Sequence, residues 1–245
     1  MKIKTKTKIT SFALLLCITF PQMMVTSGCN GSIAIPTNNN NSLSNILIAL
    51  AFDRSPSFSD YRQADTAFVS RICHCISKTG GIVIVYGIGN PSDNSGLRCS
   101  LKKIPPMDPS LVLSKQLALK QHIDMLKAYN ENVIREFLKV VQEQILGPPT
   151  KNIKETDING VLKKLDVLMN EPEYSNFRST VLVYSDGIQN HNGINSNAHY
   201  DFKSRVPFVL CLCGWKTPFP THSIAIKQFE DTEGFAQYIE SSNSL

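Results

Sequence analysis

The chain has 245 residues, of which 42% are hydrophobic and 18% charged, and this composition excludes an intrinsically disordered protein. The formal net charge is +5, but four of the positive charges are lysines within the first eight residues, so the remaining chain carries about +1. So small a net charge gives no support to binding of nucleic acid or of an anionic membrane surface.

The first 28 residues predict an export signal. Four lysines precede an apolar run at residues 9–20, which is too short to span a bilayer as a helix, and small residues then precede Cys29. Small residues before a cysteine resemble a bacterial lipobox, in which that cysteine is lipidated, although Thr26 stands where a branched apolar residue is preferred. We expect a lipid anchor on Cys29 and a location outside the cytoplasm, on the periplasmic or cell-surface side of a membrane. Ordinary cleavage nearby is the alternative.

Residues 29–44 are polar and predict a flexible tether, and residues 45–245 predict one folded domain. Short apolar runs that indicate buried strands alternate there with helical patterns. The predicted strands are residues 46–52, 82–88, 97–104, 180–184, 206–213 and 223–226. The predicted helices are residues 61–76, 110–146 (as one helix or two), 158–169 and a last one around 235–239. This order predicts an α/β fold: a doubly wound, mostly parallel sheet of about six strands, with one antiparallel edge strand and helices on both faces.

Three polar motifs follow or face the predicted strands. The first is D-x-S-x-S at residues 53–57, the second is T-D-I at residues 156–158, where a helix opens, and the third is S-D-G at residues 185–187. In a doubly wound sheet, ligands collect beyond the carboxyl ends of the strands, at the point where the winding reverses. Each residue taken alone could equally cap a turn or a helix, and Asp157 is interpreted as such a cap.

In this order and on these elements, the three motifs resemble the metal-ion-dependent adhesion site of von Willebrand factor A domains, over roughly residues 44–241. The resemblance implies a Rossmann-like fold and a divalent cation, Mg²⁺ or else Mn²⁺ or Ca²⁺, bound by oxygen atoms. Pro56, where a glycine is common, stiffens the first loop without removing a ligand. Arg54 beside it is expected to be a solvated surface residue. The implied metal-binding residues are Asp53, Ser55, Ser57, Thr156 and Asp186.

A cation held by one directly bound carboxylate stays incompletely neutralised, so it would bind an acidic residue of a partner protein. We therefore expect a metal-dependent protein-binding module for adhesion or assembly, and not an enzyme. The polar segment 188–205, in place of the usual helix, is expected to set partner choice. One alternative is a metal-dependent hydrolase that uses His191 or His199 as a base. The other is a structural assembly subunit with an inactive site.

Five cysteines lie in the predicted domain, and an odd number cannot pair completely within one chain. Cys211 and Cys213 alternate on a predicted buried strand, where a free cysteine behaves as a small apolar residue. The alternative is a zinc site that joins them to the segment Cys73–Cys75, although its spacings differ from the usual zinc knuckles. The sequence leaves any disulfide pairing open.

Overall fold

Eight strands and four α-helices occupy the part of the chain that the computed structural model describes, which is residues 45–55, 58, 65–89, 96–147, 155–191, 193–219 and 224–242. All of these residues belong to one compact unit that spans Asn41–Leu245. The predicted export signal, the tether with Cys29, and Ser57 lie outside the described residues. No helix in the described segments is both long and apolar enough to cross a membrane.

The first half of the unit contains three strands and two helices. These are β1 (Asn45–Asp53), α1 (Thr66–Ser77), β2 (Gly81–Ile88), β3 (Leu97–Leu101) and α2 (Leu113–Val141), which continues as a π-helical turn, Gln142–Leu146. The second half contains α3 (Ile158–Met169), β4 (Phe177–Tyr184), β5 (Ile188–His191), β6 (Ile194–Asn197), β7 (Phe208–Cys213), β8 (Ala225–Phe229) and α4 (Thr232–Ser242). The question left open for residues 110–146 is thereby settled: one long helix runs through them.

Six of the strands form one sheet in the order β3-β2-β1-β4-β7-β8. Strand β3 at one edge pairs antiparallel with β2, and all other neighbours pair in parallel. The predicted doubly wound sheet with one antiparallel edge strand is therefore confirmed. Because β1 lies between β2 and β4, the winding reverses at the carboxyl ends of β1 and β4. This is the position where such sheets bind ligands.

The central strand β1 separates two apolar layers. Ile46, Ile48 and Leu50 face a core that includes residues of α1, α2 and α4, and Leu47 and Ala49 face a core built with α3. A strand covered on both faces is apolar throughout rather than alternating, which is why the run 46–52 predicted a buried parallel strand. The two layers fix β1 rigidly, so the side chains that follow its last residue have a fixed base.

Strands β5 and β6 form a hairpin that the sequence reasoning did not predict, since residues 188–205 were expected to be a polar loop. Residue His191 pairs with Ile194, and Gly193 between them has a φ of 79°. The residues of β6 are all exposed, so the hairpin lacks the apolar alternation by which strands are usually recognised. The sequence signal that could have predicted it is the dipeptide Asn-Gly at positions 192 and 193, which favours a two-residue hairpin turn.

Candidate metal centre

Asp53, the last residue of β1, lies at the point where the sheet reverses its winding. Its side chain is only 1% exposed, and both of its carboxylate oxygens accept hydrogen bonds. The backbone N–H of Ser55 donates to Oδ1 at 2.8 Å, and the hydroxyl of Ser185 donates to Oδ2 at 2.6 Å. Each carboxylate oxygen has a second lone pair, so these two bonds orient Asp53 while leaving it able to bind a cation.

Ser185 is a positioning residue that sequence reasoning placed in a motif but gave no role. It follows β4 directly, is fully buried, and its backbone N–H donates to the carbonyl oxygen of Cys213 at 3.1 Å. Its hydroxyl also accepts from the backbone N–H of Gly187 at 3.2 Å. The hydroxyl therefore links the ends of β4 and β1. The serine of the S-D-G motif was the available signal, but its partner stands 132 residues earlier in the chain.

Asp186 is buried at the same edge of the sheet, and its Oδ1 accepts from the backbone N–H of Ile188 at 2.9 Å. The next residue, Gly187, has a φ of 80°, and a Cβ there would lie 2.5 Å from the Trp215 ring. Any other residue would therefore clash with the indole and strain the backbone. The S-D-G motif has a glycine because the chain must turn tightly against Trp215 to place Asp186.

The charge of Asp186 acts on the carboxylate of Asp53. Burial raises the pKa of Asp53 above its ordinary value, and the negative charge of Asp186 adds to that rise. The hydrogen bonds from Ser185 and Ser55 oppose it. An opposite charge beside Asp53 would stabilise its ionised form, and a divalent cation is one way to supply that charge.

Thr156 reaches the rim through the β5–β6 hairpin. Its backbone N–H donates to the carbonyl oxygen of Asn190 at 2.9 Å, and the N–H of Asn190 donates back at 3.1 Å. The next residue, Asp157, donates its N–H to the carbonyl oxygen of Gly89 just after β2, at 3.3 Å. Thr156, which is buried, is thereby held beside the carboxyl ends of the strands by two neighbouring segments.

Asp157 has the structural role that the sequence predicted. It is the N-cap residue of α3, and its Oδ1 accepts from the backbone N–H of Gly160 at 2.8 Å. Such a bond satisfies one of the N–H groups that the first turn of a helix leaves without a partner. Adjacent residues of one motif therefore have different tasks, with Thr156 at the rim and Asp157 in the helix cap.

Phe58 anchors the first rim loop, and sequence reasoning missed it. Its ring is buried and meets Tyr184 edge-on, with ring centroids 5.0 Å apart, and its backbone N–H donates to the carbonyl oxygen of Ser55 at 3.1 Å. Ser55 is also buried. Four of the predicted metal-binding residues, Asp53, Ser55, Thr156 and Asp186, thus lie at or beside the carboxyl ends of the strands.

Arg54 is not the solvated surface residue that was expected. Its guanidinium donates to the carbonyl oxygens of Gln144 at 3.1 Å and Gly147 at 2.6 Å, and burial lowers its pKa. These carbonyls belong to the end of the helical segment that continues α2, where a helix carries partial negative charge. The physical reason for the correction is that this helix end carries carbonyl oxygens that no longer have partners within the helix. Arg54 therefore ties the rim loop to α2.

The oxygen atoms at this edge fit a hard divalent cation. Two carboxylates and two buried hydroxyl-bearing residues lie at the carboxyl ends of the strands, and Mg²⁺ prefers one or two carboxylates and retains several waters. The described residues contain no cluster of three or more His, Cys, Asp or Glu side chains that could hold a metal ion. The alternative zinc site is therefore not formed, since the four cysteines that it drew upon are all described and three of them, Cys73, Cys211 and Cys213, are buried in the apolar core.

For the two histidines of the hydrolase alternative, the structure describes all of His199 but only the backbone of His191. His199 is exposed after β6, and its backbone N–H donates to Oδ1 of Asn159 at 2.9 Å. His191 is the last residue of β5, and its side chain lies outside what the structure describes.

No protein-family model and no curated protein matches the chain. Among solved structures it is similar to proximal thread matrix protein 1 from the mussel byssus, with a TM-score of 0.42 and 13% identity, over 80% of this chain and 46% of that one. Another structure of that protein, with a zinc-occupied metal-ion-dependent adhesion site, has a TM-score of 0.38 and 13% identity, over 81% and 45% of the two chains. The N-terminal domain of TFIIH p34 has a TM-score of 0.32 and 9% identity, over 82% and 100%. This chain spans less than half of the mussel protein's length, and similarities of this size carry no argument about function.

Proposed function

We propose that this protein is a metal-dependent protein-binding module that serves adhesion or assembly. The observation that carries the proposal is the setting of Asp53. It is a buried carboxylate at the winding reversal, fixed by Ser55 and Ser185 and placed beside a second carboxylate, Asp186. Burying one carboxylate near another costs stability, and such arrangements are typical of functional sites.

In this proposal the cation is Mg²⁺, with Mn²⁺ or Ca²⁺ as substitutes. Asp53, Ser55 and Ser57 would hold it from the first loop, Thr156 would join from the hairpin side, and Asp186 would act through a bound water. One directly bound carboxylate leaves a divalent cation with positive charge to spare. An aspartate or glutamate of a partner protein would supply the missing anionic oxygen.

We assign the choice of partner to the β5–β6 hairpin. Its backbone pairs with Thr156 at Asn190, so a protein that reaches the cation meets the hairpin as well. Asn190 donates from Nδ2 to Oδ1 of Asn195 at 2.8 Å across the two strands, and the tip residue Ile194 is 71% exposed. An exposed apolar tip with amides behind it suits a partner that offers an apolar side chain near its acidic residue.

Metal binding is tested by thermal unfolding of the metal-stripped full-length chain with Mg²⁺ or Mn²⁺ added back. A cation at about 100 times its Kd stabilises the folded state by about 2.7 kcal/mol, which raises the melting temperature by roughly 5–10 °C. The rise should vanish in Asp53→Asn. The matched control is Asp157→Asn, which removes the same charge near the rim but keeps a side chain that caps helices well, so the rise should persist. A rise that survives in Asp53→Asn would refute the site.

Partner capture is tested with immobilised peptides that carry a single Asp or Glu, each beside its Asn or Gln counterpart. We expect Mg²⁺-dependent retention of the protein on acidic peptides only, with loss on chelation and in Asp53→Asn. Retention that survives chelation would instead support a structural assembly subunit with an inactive site.

We further propose that the chain is exported and held at a membrane by a lipid on Cys29. The support is the sequence alone, through its lysine-rich leader, short apolar run and small residues before the cysteine. A lipid with two acyl chains on Cys29 would place the natural protein in the membrane fraction, and Cys29→Ser would move it to the soluble fraction. Equal partition of the two proteins would refute the anchor.

A further inference from the structure

The helix α2 presents apolar side chains on the side that faces away from the core. Its buried residues, which include Ile123, Leu126 and Phe137, recur at helical spacing on the side that packs against the domain. At 3.6 residues per turn, four large apolar residues are centred on the opposite side, and each is between 44% and 72% exposed. They are Leu113, Leu117, Met125 and Tyr129. The solvent side of such a helix is ordinarily polar.

These four residues form a single row, which we call the α2 ridge. They stand at four-residue intervals with Gln121 at the middle position, and side chains four residues apart are neighbours on a helix. In the part of the chain that the structure describes, eight large apolar side chains are exposed, and six of them fall within residues 107–129. An exposed apolar patch that is concentrated in this way marks an interaction surface, whereas single exposed residues do not.

The α2 ridge is open to a partner along its length. None of the first ten residues of α2 is buried, and its first buried residue is Ile123. From Leu113 to Tyr129 the ridge spans about 24 Å, at about 1.5 Å per residue. A second helix can therefore lie along the ridge without displacing a buried side chain of α2.

We propose that the α2 ridge binds the α2 ridge of a second copy of this chain, antiparallel and about a two-fold axis beside Gln121. The ridge has the symmetry that this arrangement requires, because apolar residues stand four and eight positions away on each side of Gln121. Leu113 and Leu117 of one copy then lie against the half of the other copy that carries Met125 and Tyr129. Such a surface is self-complementary, so the pair closes as a dimer.

The polar residues along the ridge favour a second copy over other occupants. The amide of Gln121 is both a donor and an acceptor, so two copies of it at a two-fold axis can bond to each other. Lys120 precedes Gln121 and Asp124 follows it, so an antiparallel pair sets the Lys120 side of one copy against the Asp124 side of the other. Both charged side chains are exposed, and neither forms an ion pair with another described residue. A layer of acyl chains would bury these groups without partners.

The size of the ridge predicts a weak, reversible dimer. A large apolar side chain buries roughly 100 Å² when it is covered, so four of them with smaller residues such as Ala118 and Ala128 bury on the order of 500 Å² per copy. Two copies would bury about 1,000 Å², which is the lower limit of a specific interface. A self-complementary contact of this size should have a Kd on the order of 10 μM.

Sedimentation equilibrium of the full-length chain, with metal chelated, tests the pairing. We expect the wild-type chain to be largely dimeric at about 100 μM and to dissociate on dilution. Leu117→Glu and Met125→Glu should each weaken the dimer at least about 100-fold, because two charges would be buried against apolar side chains. The matched control is Val167→Glu, which changes a similarly exposed residue outside the ridge (59%, against 55% for Leu117) and should leave the dimer intact.

Three outcomes decide the proposal once folding is checked. Far-ultraviolet circular dichroism should show the same helix content in all three variants, because each replaced side chain is exposed. A wild-type chain that is monomeric at about 100 μM would overturn the pairing, and so would a Leu117→Glu dimer as tight as the Val167→Glu dimer. If a monomeric wild-type chain bound phosphatidylglycerol vesicles and Leu117→Glu did not, the ridge would be a membrane contact instead.

Charge reversal tests the antiparallel arrangement. Lys120→Asp and Asp124→Lys should each weaken the dimer about tenfold by setting like charges against each other, and the double variant should return to within about threefold of the wild-type Kd. A double variant that binds no more tightly than either single variant would overturn the arrangement. The dimer should persist in Asp53→Asn, so failure of the pairing and failure of the proposed metal site are distinguishable.

Discussion

Two buried aspartates, Asp53 at the rim and Asp166 within α3, use their carboxylates in opposite ways. Asp166 accepts from the hydroxyl of Tyr200 at 3.1 Å and from the backbone N–H of Lys203 at 3.2 and 3.1 Å. Those donors belong to the segment between β6 and β7, which Asp166 holds against α3. Asp53 accepts from the backbone N–H of Ser55 and from the hydroxyl of Ser185, and stands beside the negative charge of Asp186.

The difference separates a structural anchor from a candidate binding site. A carboxylate whose partners are donors of a crossing segment stabilises that segment, and nothing further is needed to explain it. A carboxylate buried beside a like charge raises the free energy of the folded chain, and the proposed cation would offset that cost. Burial alone would have ranked the two aspartates as equals.

The largest effect expected on stability alone is that of Asp166→Ala. It removes the acceptor of the Tyr200 hydroxyl and of the Lys203 N–H, and a hydrogen bond to a charged group contributes about 1.5–3 kcal/mol. The free energy of unfolding should fall by about 3 kcal/mol, measured by urea denaturation without metal. The melting temperature rise on adding Mg²⁺ should persist. If Asp166→Ala kept its stability but lost the rise in melting temperature with Mg²⁺, Asp166 would belong to the metal site and would not be a structural anchor.

The sequence was sufficient to predict the sheet because its central strands are buried on both faces. An unbroken apolar run such as residues 46–52 is typical of a parallel strand between two helical layers, and the polar motifs after β1 and β4 mark the carboxyl ends. The edge strand β3 was predicted too, although it ends at Leu101, before the predicted residue 104.

The hydrogen bonds that orient the site could not be predicted. The bond from Ser185 to Asp53 joins residues 132 positions apart, and no local pattern encodes it. Phe58 is a single apolar residue in a polar stretch, so it belongs to no periodic pattern that would predict a buried position. Its role depends on a contact with Tyr184, which lies far away in the sequence. The clamp made by Arg54 likewise needs the end of α2 to be in place. That the site holds a metal remains a prediction.

A smaller effect, confined to the metal, is expected for Asp186→Asn. The amide oxygen can still accept from the N–H of Ile188, so the fold should keep its stability or gain slightly as repulsion of Asp53 disappears. The loss of one negative charge near the cation should weaken Mg²⁺ binding about tenfold, which is about 1.4 kcal/mol. Titration calorimetry on the metal-stripped chain measures it. An unchanged Kd would remove Asp186 from the site.

The smallest effect separates two neighbours in one motif. Asp157→Ala removes the cap of α3, in which Oδ1 accepts from the N–H of Gly160, and should cost about 1 kcal/mol of unfolding free energy. The backbone bonds between Thr156 and Asn190 do not involve that side chain, so the Kd for Mg²⁺ should stay unchanged. Urea denaturation and calorimetry on one preparation measure both quantities. A helix cap stabilises the fold, whereas a charge in a metal site stabilises the bound cation. If Asp157→Ala weakened Mg²⁺ binding and left the free energy of unfolding unchanged, Asp157 would therefore belong to the metal site, with Asp53 and Asp186.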